Sequence, residues 1–549
     1  MNPTWKQSVI YQIYPKSFCS AHGQATGDLA GVTARLDYLQ WLGVDWIWLT
    51  PIYLSPQRDN GYDVADYLAI DPRYGDMADF TRLVAEAGRR GIQVMLDIVV
   101  NHTSTEHEWF QTARRERDHP WRDFYLWRDA PNNWQSKFGG PAWEYDPVAG
   151  QYYLHLFDTS QADLNWANPE LRQAVFAMMR YWLERGVRGF RLDVINLISK
   201  PADFPEDDSD GRRFYTDGPQ VHEHLQQMHR EVFAGREVLT VGEMSSTTLE
   251  HCIHYSRPDR RELSMTFNFH HLKVDYPEGR KWVAAPYDFI ALKRILSTWQ
   301  EGMHAGGGWN AVFWCNHDQP RVVSRFGDSG AWRVPSAKLL ATALHGLQGT
   351  PYVYQGEEIG MANPGFADIA QYRDVETLNA HRLLLAAGLP EDEVMAAIRQ
   401  KSRDNARTPM QWDAGPNAGF SSEAPWIDLA PDWREVNVAA QRDDPDSVLH
   451  HYRRLIALRK RHPVLADGDY HCLTPDHPAL WVYLRRTPAA TLVVACNFSG
   501  ETVAETLPPL GELAATGPAR TLIANHPDTP PLAAALQLRP WEAVMWLVD

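Results

Sequence analysis

The 549-residue chain holds only five cysteines, Cys19, Cys252, Cys315, Cys472 and Cys496, an odd and scattered set without a close pair. Such usage excludes a disulfide framework and favours a reducing compartment. No stretch approaches the roughly 18 consecutive apolar residues of a membrane span. Residues 1–18 mix Lys, Gln and Pro into the apolar positions instead of forming a leader, so a soluble, unexported, cytoplasmic protein is expected. Positive charge is also in deficit: 53 Lys and Arg face 69 Asp and Glu, a formal net charge of −16 at pH 7. An acidic surface repels phosphodiester backbones and anionic lipids, which argues against nucleic acid and membranes as partners. There is no Gly-x-x-x-x-Gly-Lys phosphate loop, and Gly306-Gly307-Gly308 lacks the strand-then-helix setting of a dinucleotide site. His222-Glu223-His224 is not a zinc motif, because Gln226 stands where the second His of His-Glu-x-x-His belongs. Val221, Leu225, Met228 and Val232 supply that helix with its core stripe, which leaves its histidines to solvent. No internal repeat or low-complexity tract is present.

What the chain does have is a recurring unit: a short run rich in β-branched and aromatic residues, then polar residues, then a helical pattern. Eight such runs begin near Val9, Trp46, Val94, Gly189, Val238, Met265, Ala311 and Pro351. Eight βα units predict an α/β fold, a (β/α)8 barrel with its active site at the carboxyl ends of the strands. The interval between Asn101 and Gly189 is far longer than one crossover helix needs. An inserted subdomain is therefore expected over 103–165, with Pro169 to Arg185 as the barrel helix that follows. A second insertion is expected over 363–415, after the eighth strand, with a helix around Pro390 to Gln400. Beyond about Leu465 the pattern turns to antiparallel alternation, in Ala479 to Leu484 and Thr491 to Cys496. The expected organisation is barrel over 1–102 and 166–465, insert over 103–165, and a small C-terminal antiparallel β-sandwich over 466–549.

Several ionisable side chains fall at the ends of these strands. Arg191 and Asp193 are two apart on the fourth and so share a face, and a neighbouring guanidinium is expected to hold Asp193 ionised. The fifth strand ends in Val241-Gly242-Glu243-Met244, an apolar setting that raises a carboxyl pKa. The seventh ends in Asn316-His317-Asp318. Two carboxyl groups pushed apart in pKa make the working pair of a glycosidase, one as nucleophile and one as proton donor. The alternative is that each acid merely caps a helix or pairs with an arginine. Asp97 and Asn101-His102 on the third strand can brace the barrel mouth.

Asp97-Ile98-Val99-Val100-Asn101-His102, Gly189-Phe190-Arg191-Leu192-Asp193, Val241-Gly242-Glu243 and Asn316-His317-Asp318 resemble the four ordered signature blocks of the α-amylase family of glycoside hydrolases. Gln161-Ala162-Asp163-Leu164-Asn165-Trp166 and Asp404 to Trp412 are similar to blocks of its oligo-1,6-glucosidase group. Gly211 to Pro219, Gly242 to Thr247 and Phe267 to Tyr276 resemble the branch that hydrolyses α,α-trehalose 6-phosphate. The resemblance runs essentially the whole length. It implies Asp193 as a nucleophile forming a covalent β-glucosyl enzyme, Glu243 as acid/base, and Asp318 as the group that binds sugar hydroxyls and stabilises the oxocarbenium-like transition state. It also implies Asp63, His102, Arg191, His317 and Arg407 around the transferred glucose, and retention of configuration by double displacement.

A phosphate monoester needs charge-assisted donors, which an acidic chain must concentrate locally. Candidates are Lys273 with His270 and His271 after the sixth strand, where the related oligo-1,6-glucosidases usually carry acids, then Arg212 and Arg213, and Arg280-Lys281. Each has an alternative as a solvated or ion-paired charge, and Glu206, Asp207, Asp208 and Asp210 can satisfy both arginines. The segment Cys19 to Thr26 before Gly27-Asp28-Leu29 offers too few carboxylates for the oxygen shell calcium prefers, so no metal and no cofactor are expected. The expected partner is a small phosphorylated disaccharide, and the oligomeric state stays open, a monomer included. Two other readings compete. One is an oligo-1,6-glucosidase or sucrose isomerase acting on neutral α-glucosides, with which Val194 is compatible; the other is a non-catalytic carbohydrate-binding or partner subunit.

Overall fold

The computed structural model describes residues 4–549. Each of the eight runs forms a strand starting within one residue of its expected position: β1 (Ile10–Ile13), β2 (Trp46–Leu49), β3 (Gln93–Ile98), β4 (Gly189–Leu192), β5 (Leu239–Met244), β6 (Met265–Asn268), β7 (Ala311–Val312) and β8 (Thr350–Tyr354). Parallel ladders join β1 through β6 in order, and β8 lies between β1 and β7. A parallel bridge from Thr266 to Asn310 links the two free edges and closes the barrel. The strands are almost wholly buried because helices cover the outside while large side chains fill the inside.

The register decides which acids meet. Arg191 pairs with Asp97 across β4 and β3, and with Val241 across β4 and β5. With a side-chain period of two, Asp193 and Glu243 come next on the same inward face, one layer nearer the mouth.

After β3 the chain pairs His102–Ser104 antiparallel with Gln161–Asp163. Between these arms lie a helix, Glu108–Arg115, and a three-stranded sheet of Trp127–Arg128, Trp143–Asp146 and Gln151–Leu154. Lys200 ties the base together through Asp163 (2.7 Å) and Asn101 Oδ1 (2.8 Å). The barrel helix follows at Pro169–Glu184, with Asn168 as its N-cap. The stretch after β8 holds Val375–Ala386, which the sequence pattern did not reveal, and Glu391–Lys401, which it did. These pack around Phe366, Tyr372, Val394 and Ile398.

The C-terminal part is a five-stranded antiparallel sheet beside a two-stranded one. Its strands depart from simple in-and-out alternation. Leu480, Val482 and Leu484 face a core shared with Leu510, Leu536 and Leu538, while Trp481 and Tyr483 pack into the barrel core on the other side. Both faces are buried because the sheet is sandwiched between the barrel and its own smaller sheet.

One other expectation needs correction. In the helix Val221–Met228, His224 is buried against Trp166, and His222 is bonded to Glu262 at 2.7 Å, so neither is a freely solvated histidine. Asp28 takes its hydrogen bonds from the backbone N–H groups of Ala21, His22 and Gly31, as the N-cap of Leu29–Ala34. Among the described residues, no helix is long and apolar enough to cross a membrane.

Candidate active site

At the carboxyl ends of the strands a cavity of about 250 Å³ opens over Asp193, Glu243 and Asp318. Its floor is organised by Arg191, whose side chain is 1% exposed. Nη1 donates to Asp97 Oδ1 (2.9 Å) and Asp193 Oδ1 (2.6 Å), and Nη2 to Glu243 Oε2. Trp48 Nε1 and Tyr62 OH complete the shell of Asp97, which braces the arginine from below. Val194 adopts a left-handed conformation (φ 35°), strained for a β-branched residue, and its N–H reaches Glu243 Oε2 at 3.2 Å.

Burial is the main influence on both upper carboxyls. Asp193 is pushed up to about 7 by burial, opposed by Arg191 and reinforced by Asp97. Glu243 is pushed up to about 8 by burial, opposed by Arg191 and reinforced by Asp193 and Asp318. The expectation that Arg191 would depress Asp193 fails because burial outweighs the guanidinium, whose charge Asp97 and Glu243 also share. Glu243 does rise as expected, chiefly through burial, with the neighbouring acids adding to it. The charge of Asp193 raises Glu243, and both carboxyls are held by the one Arg191 guanidinium. They form one coupled unit in which Glu243 holds the proton more tightly.

Asp318 behaves oppositely. Burial alone would raise it, but His317, Arg403, Arg407 and Arg191 hold it well below the carboxylate range. Burial keeps His317 neutral, down to about 3, so the arginines carry that effect at neutral pH. Arg407 Nη2 lies 2.7 Å from Asp318 Oδ1, and Arg403 Nη1 lies 3.4 Å from it. His317 stacks on Tyr62 with centroids 5.1 Å apart. Gln12 Nε2 donates to its Nδ1 at 2.8 Å, which leaves the proton on Nε2, a buried atom 3.4 Å from Asp318 Oδ2. His102 lines the cavity as a neutral imidazole, lowered to about 4 by burial.

One expected sugar contact is misplaced. Asp63 is fully buried and accepts from Ser55 Oγ (3.0 Å), Arg58 N (2.8 Å) and Asp59 N (3.1 Å), so it braces its own loop. Asp59, four residues earlier, lines the cavity and pairs with Arg403 Nη2 at 2.8 Å. Sequence reasoning missed both partners; the available signal for Arg403 was its position one helical turn before Arg407.

The basic candidates separate clearly. Lys273 and Lys281 line the cavity. Lys281 is paired with Glu376 at 2.7 Å, whereas Lys273 has no carboxylate within ion-pair distance among the described residues. His270 stacks on Trp299, His271 is bonded to the Phe313 carbonyl oxygen at 3.0 Å, and burial keeps both neutral, at about 4 and about 3. They position the turn that presents Lys273 and add no charge to the cavity. Arg213 is spent on Asp207 and Asp208 at the surface, Arg280 pairs with Glu278, and Arg212 pairs with Asp210. No sequence signal pointed to Lys137, whose Nζ donates at 3.1 Å to the Oγ of Ser245, a residue of the cavity wall.

This geometry can be set beside known proteins. The α-amylase catalytic-domain model matches residues 12–468. The chain belongs to the alpha-amylase family. It is 54% identical over 551 residues to the trehalose-6-phosphate hydrolase of Bacillus subtilis (strain 168), covering 99% of this chain and 98% of that protein. Identity to the Escherichia coli (strain K12) trehalose-6-phosphate hydrolase is 55% over 549 residues, with the same coverage. The crystal structure of Bacillus licheniformis trehalose-6-phosphate hydrolase superposes with a TM-score of 0.96 at 53% identity over 100% of both chains. Oligo-1,6-glucosidases of the family are 44–47% identical to this chain.

Proposed function

We propose that this protein hydrolyses α,α-trehalose 6-phosphate to glucose and glucose 6-phosphate with retention of configuration, in the cytoplasm. The observation that carries the reading is a single cavity that joins the Asp193–Glu243 pair to Lys273, a cation with no counter-ion among the described residues, in an otherwise acidic chain. Relatives bearing that activity at 54–55% identity support it further.

In this mechanism the Asp193 carboxylate attacks the anomeric carbon of the unsubstituted glucose as Glu243 delivers its proton to the bridging oxygen, and glucose 6-phosphate departs. Glu243, now ionised, takes a proton from water as that water opens the glucosyl–Asp193 ester, which regenerates both groups and releases glucose. Two carboxyls held on one guanidinium support this route, since an inverting enzyme needs room for a water between its acids. Asp318, held ionised by Arg403 and Arg407, suits a pair of sugar hydroxyls and the positive charge that develops at the anomeric carbon. His317 Nε2–H, His102 and Asp59 supply further partners for the transferred glucose. Lys273 suits the phosphate of the leaving sugar.

Purified protein assayed on trehalose 6-phosphate, trehalose and isomaltose tests the reading. The phosphorylated disaccharide is expected to give the highest kcat/KM, and Lys273→Met to raise its KM about tenfold or more. Faster cleavage of isomaltose would make the protein an oligo-1,6-glucosidase, and no turnover of any of the three would leave a carbohydrate-binding role.

A further inference from the structure

We propose that Lys137, supplied by the insert, is a specificity-determining residue that binds the substrate phosphate. This rests on the function proposed above and adds a residue to it.

The position of Lys137 is tightly fixed. Trp134 is buried among Phe204, Phe214 and Tyr215, with Nε1 bonded to the Pro205 carbonyl oxygen at 2.9 Å. Gln135 N donates to Asp210 O, and the Asn133 side chain bonds Asp207 N. Gly211, at φ 84°, lies so close to the Trp134 ring that an added Cβ would come within 2.3 Å of it. The insert and the loop after β4 are thereby locked together, and Lys137 follows directly from that lock.

Its ammonium group makes one hydrogen bond, to Ser245 Oγ, where three protonated donors ask for more. Tyr215 presents its ring at 5.6 Å. The charged groups facing it are Arg212 from the loop after β4, Lys273 from the turn after β6, and more weakly Asp210 and Glu243. Three cations from three separate elements converge here, and among the described residues only Arg212 has an ion-pair partner. Mutual repulsion of this kind is relieved by a dianion. Burial, with the charges of Arg212 and Lys273, brings Lys137 down to about 7, so it is partly neutral in the free protein and becomes charged when phosphate arrives.

Calorimetric titration of glucose 6-phosphate into the full-length protein near pH 8, in two buffers of different ionisation enthalpy, measures the protons taken up. Wild type should take up close to one proton per ligand. Lys137→Gln should abolish the uptake, raise Kd about ten- to a hundredfold, and lower the ratio of kcat/KM on trehalose 6-phosphate to that on an aryl α-glucoside. Lys137→Arg, charged at every pH, should keep the affinity while losing the uptake. An unchanged substrate ratio and Kd in Lys137→Gln would overturn the inference, as would proton uptake that survives the substitution. If wild type fails to cleave trehalose 6-phosphate, the functional reading itself falls; if it cleaves it and Lys137→Gln behaves as wild type, only this inference falls.

Discussion

Arg191 Nη1 lies 2.6 Å from Asp193 Oδ1 while the same guanidinium holds Glu243 through Nη2, so one side chain orients both halves of the carboxyl pair. Glu243→Gln keeps the shape and the bond to Arg191 but has no proton to deliver. It is expected to lower kcat/KM on trehalose 6-phosphate by about 10²–10⁴-fold. A nitrophenyl α-glucoside, whose leaving group needs less protonation, should suffer less. Steady-state kinetics on both substrates, with far-UV circular dichroism as the control for folding, check this; equal losses would remove Glu243 from the acid role.

The pH dependence follows from the same pair. Turnover needs Asp193 ionised and Glu243 protonated, so kcat/KM should rise through about 7 and fall through about 8. The stability linkage has a definite sign. Glu243 is raised in the fold above its usual carboxyl value, so its contribution is fully present at low pH and is lost as pH rises toward about 8. The melting temperature of Glu243→Gln relative to wild type should therefore increase between pH 5 and pH 8.5. A constant difference would show that Glu243 does not titrate in that window.

Asp59 and Asp63 should separate cleanly. Asp59→Asn weakens the pair with Arg403 on the cavity wall and should lower kcat/KM. Asp63→Asn loses an acceptor of two backbone N–H groups and should destabilise the fold by about 1–3 kcal/mol, with KM close to wild type. Denaturant melts and kinetics of both variants decide; a large KM effect in Asp63→Asn would restore it as a sugar contact.

Arg403 is 7% exposed and serves Asp59 (2.8 Å), Asp374 (2.5 Å) and Asp318 (3.4 Å). Arg403→Ala leaves buried carboxylates without a partner and should cost about 3–5 kcal/mol in stability. Loss of its charge should also raise the pKa of Asp318 toward the ordinary carboxylate range, still below the acidic limb near 7 that Asp193 sets, so that limb should stay in place. Denaturant titration and a pH profile of the surviving activity measure the two effects.

The sequence by itself determined the eight strands, because a β run followed by a helical pattern is a local signal that each segment carries alone. It also placed Arg191 with Asp193, since a period of two sends both to one face, and put Glu243 at a strand end, whereas the seventh strand stops at Val312 and Asp318, expected at its end, lies in the turn beyond. Tertiary structure decided the rest. Whether Asp59 or Asp63 turns inward depends on how a loop folds back on its own backbone donors, which no periodicity records. The basic residues looked alike in the chain until burial turned His270 and His271 behind the wall, acidic neighbours claimed Arg213 and Lys281, and the insert delivered Lys137 from over a hundred residues before Ser245. The pKa of Asp193 likewise depends on burial and on carboxyls from three separate strands competing for one guanidinium, a long-range electrostatic outcome that a two-residue motif cannot contain.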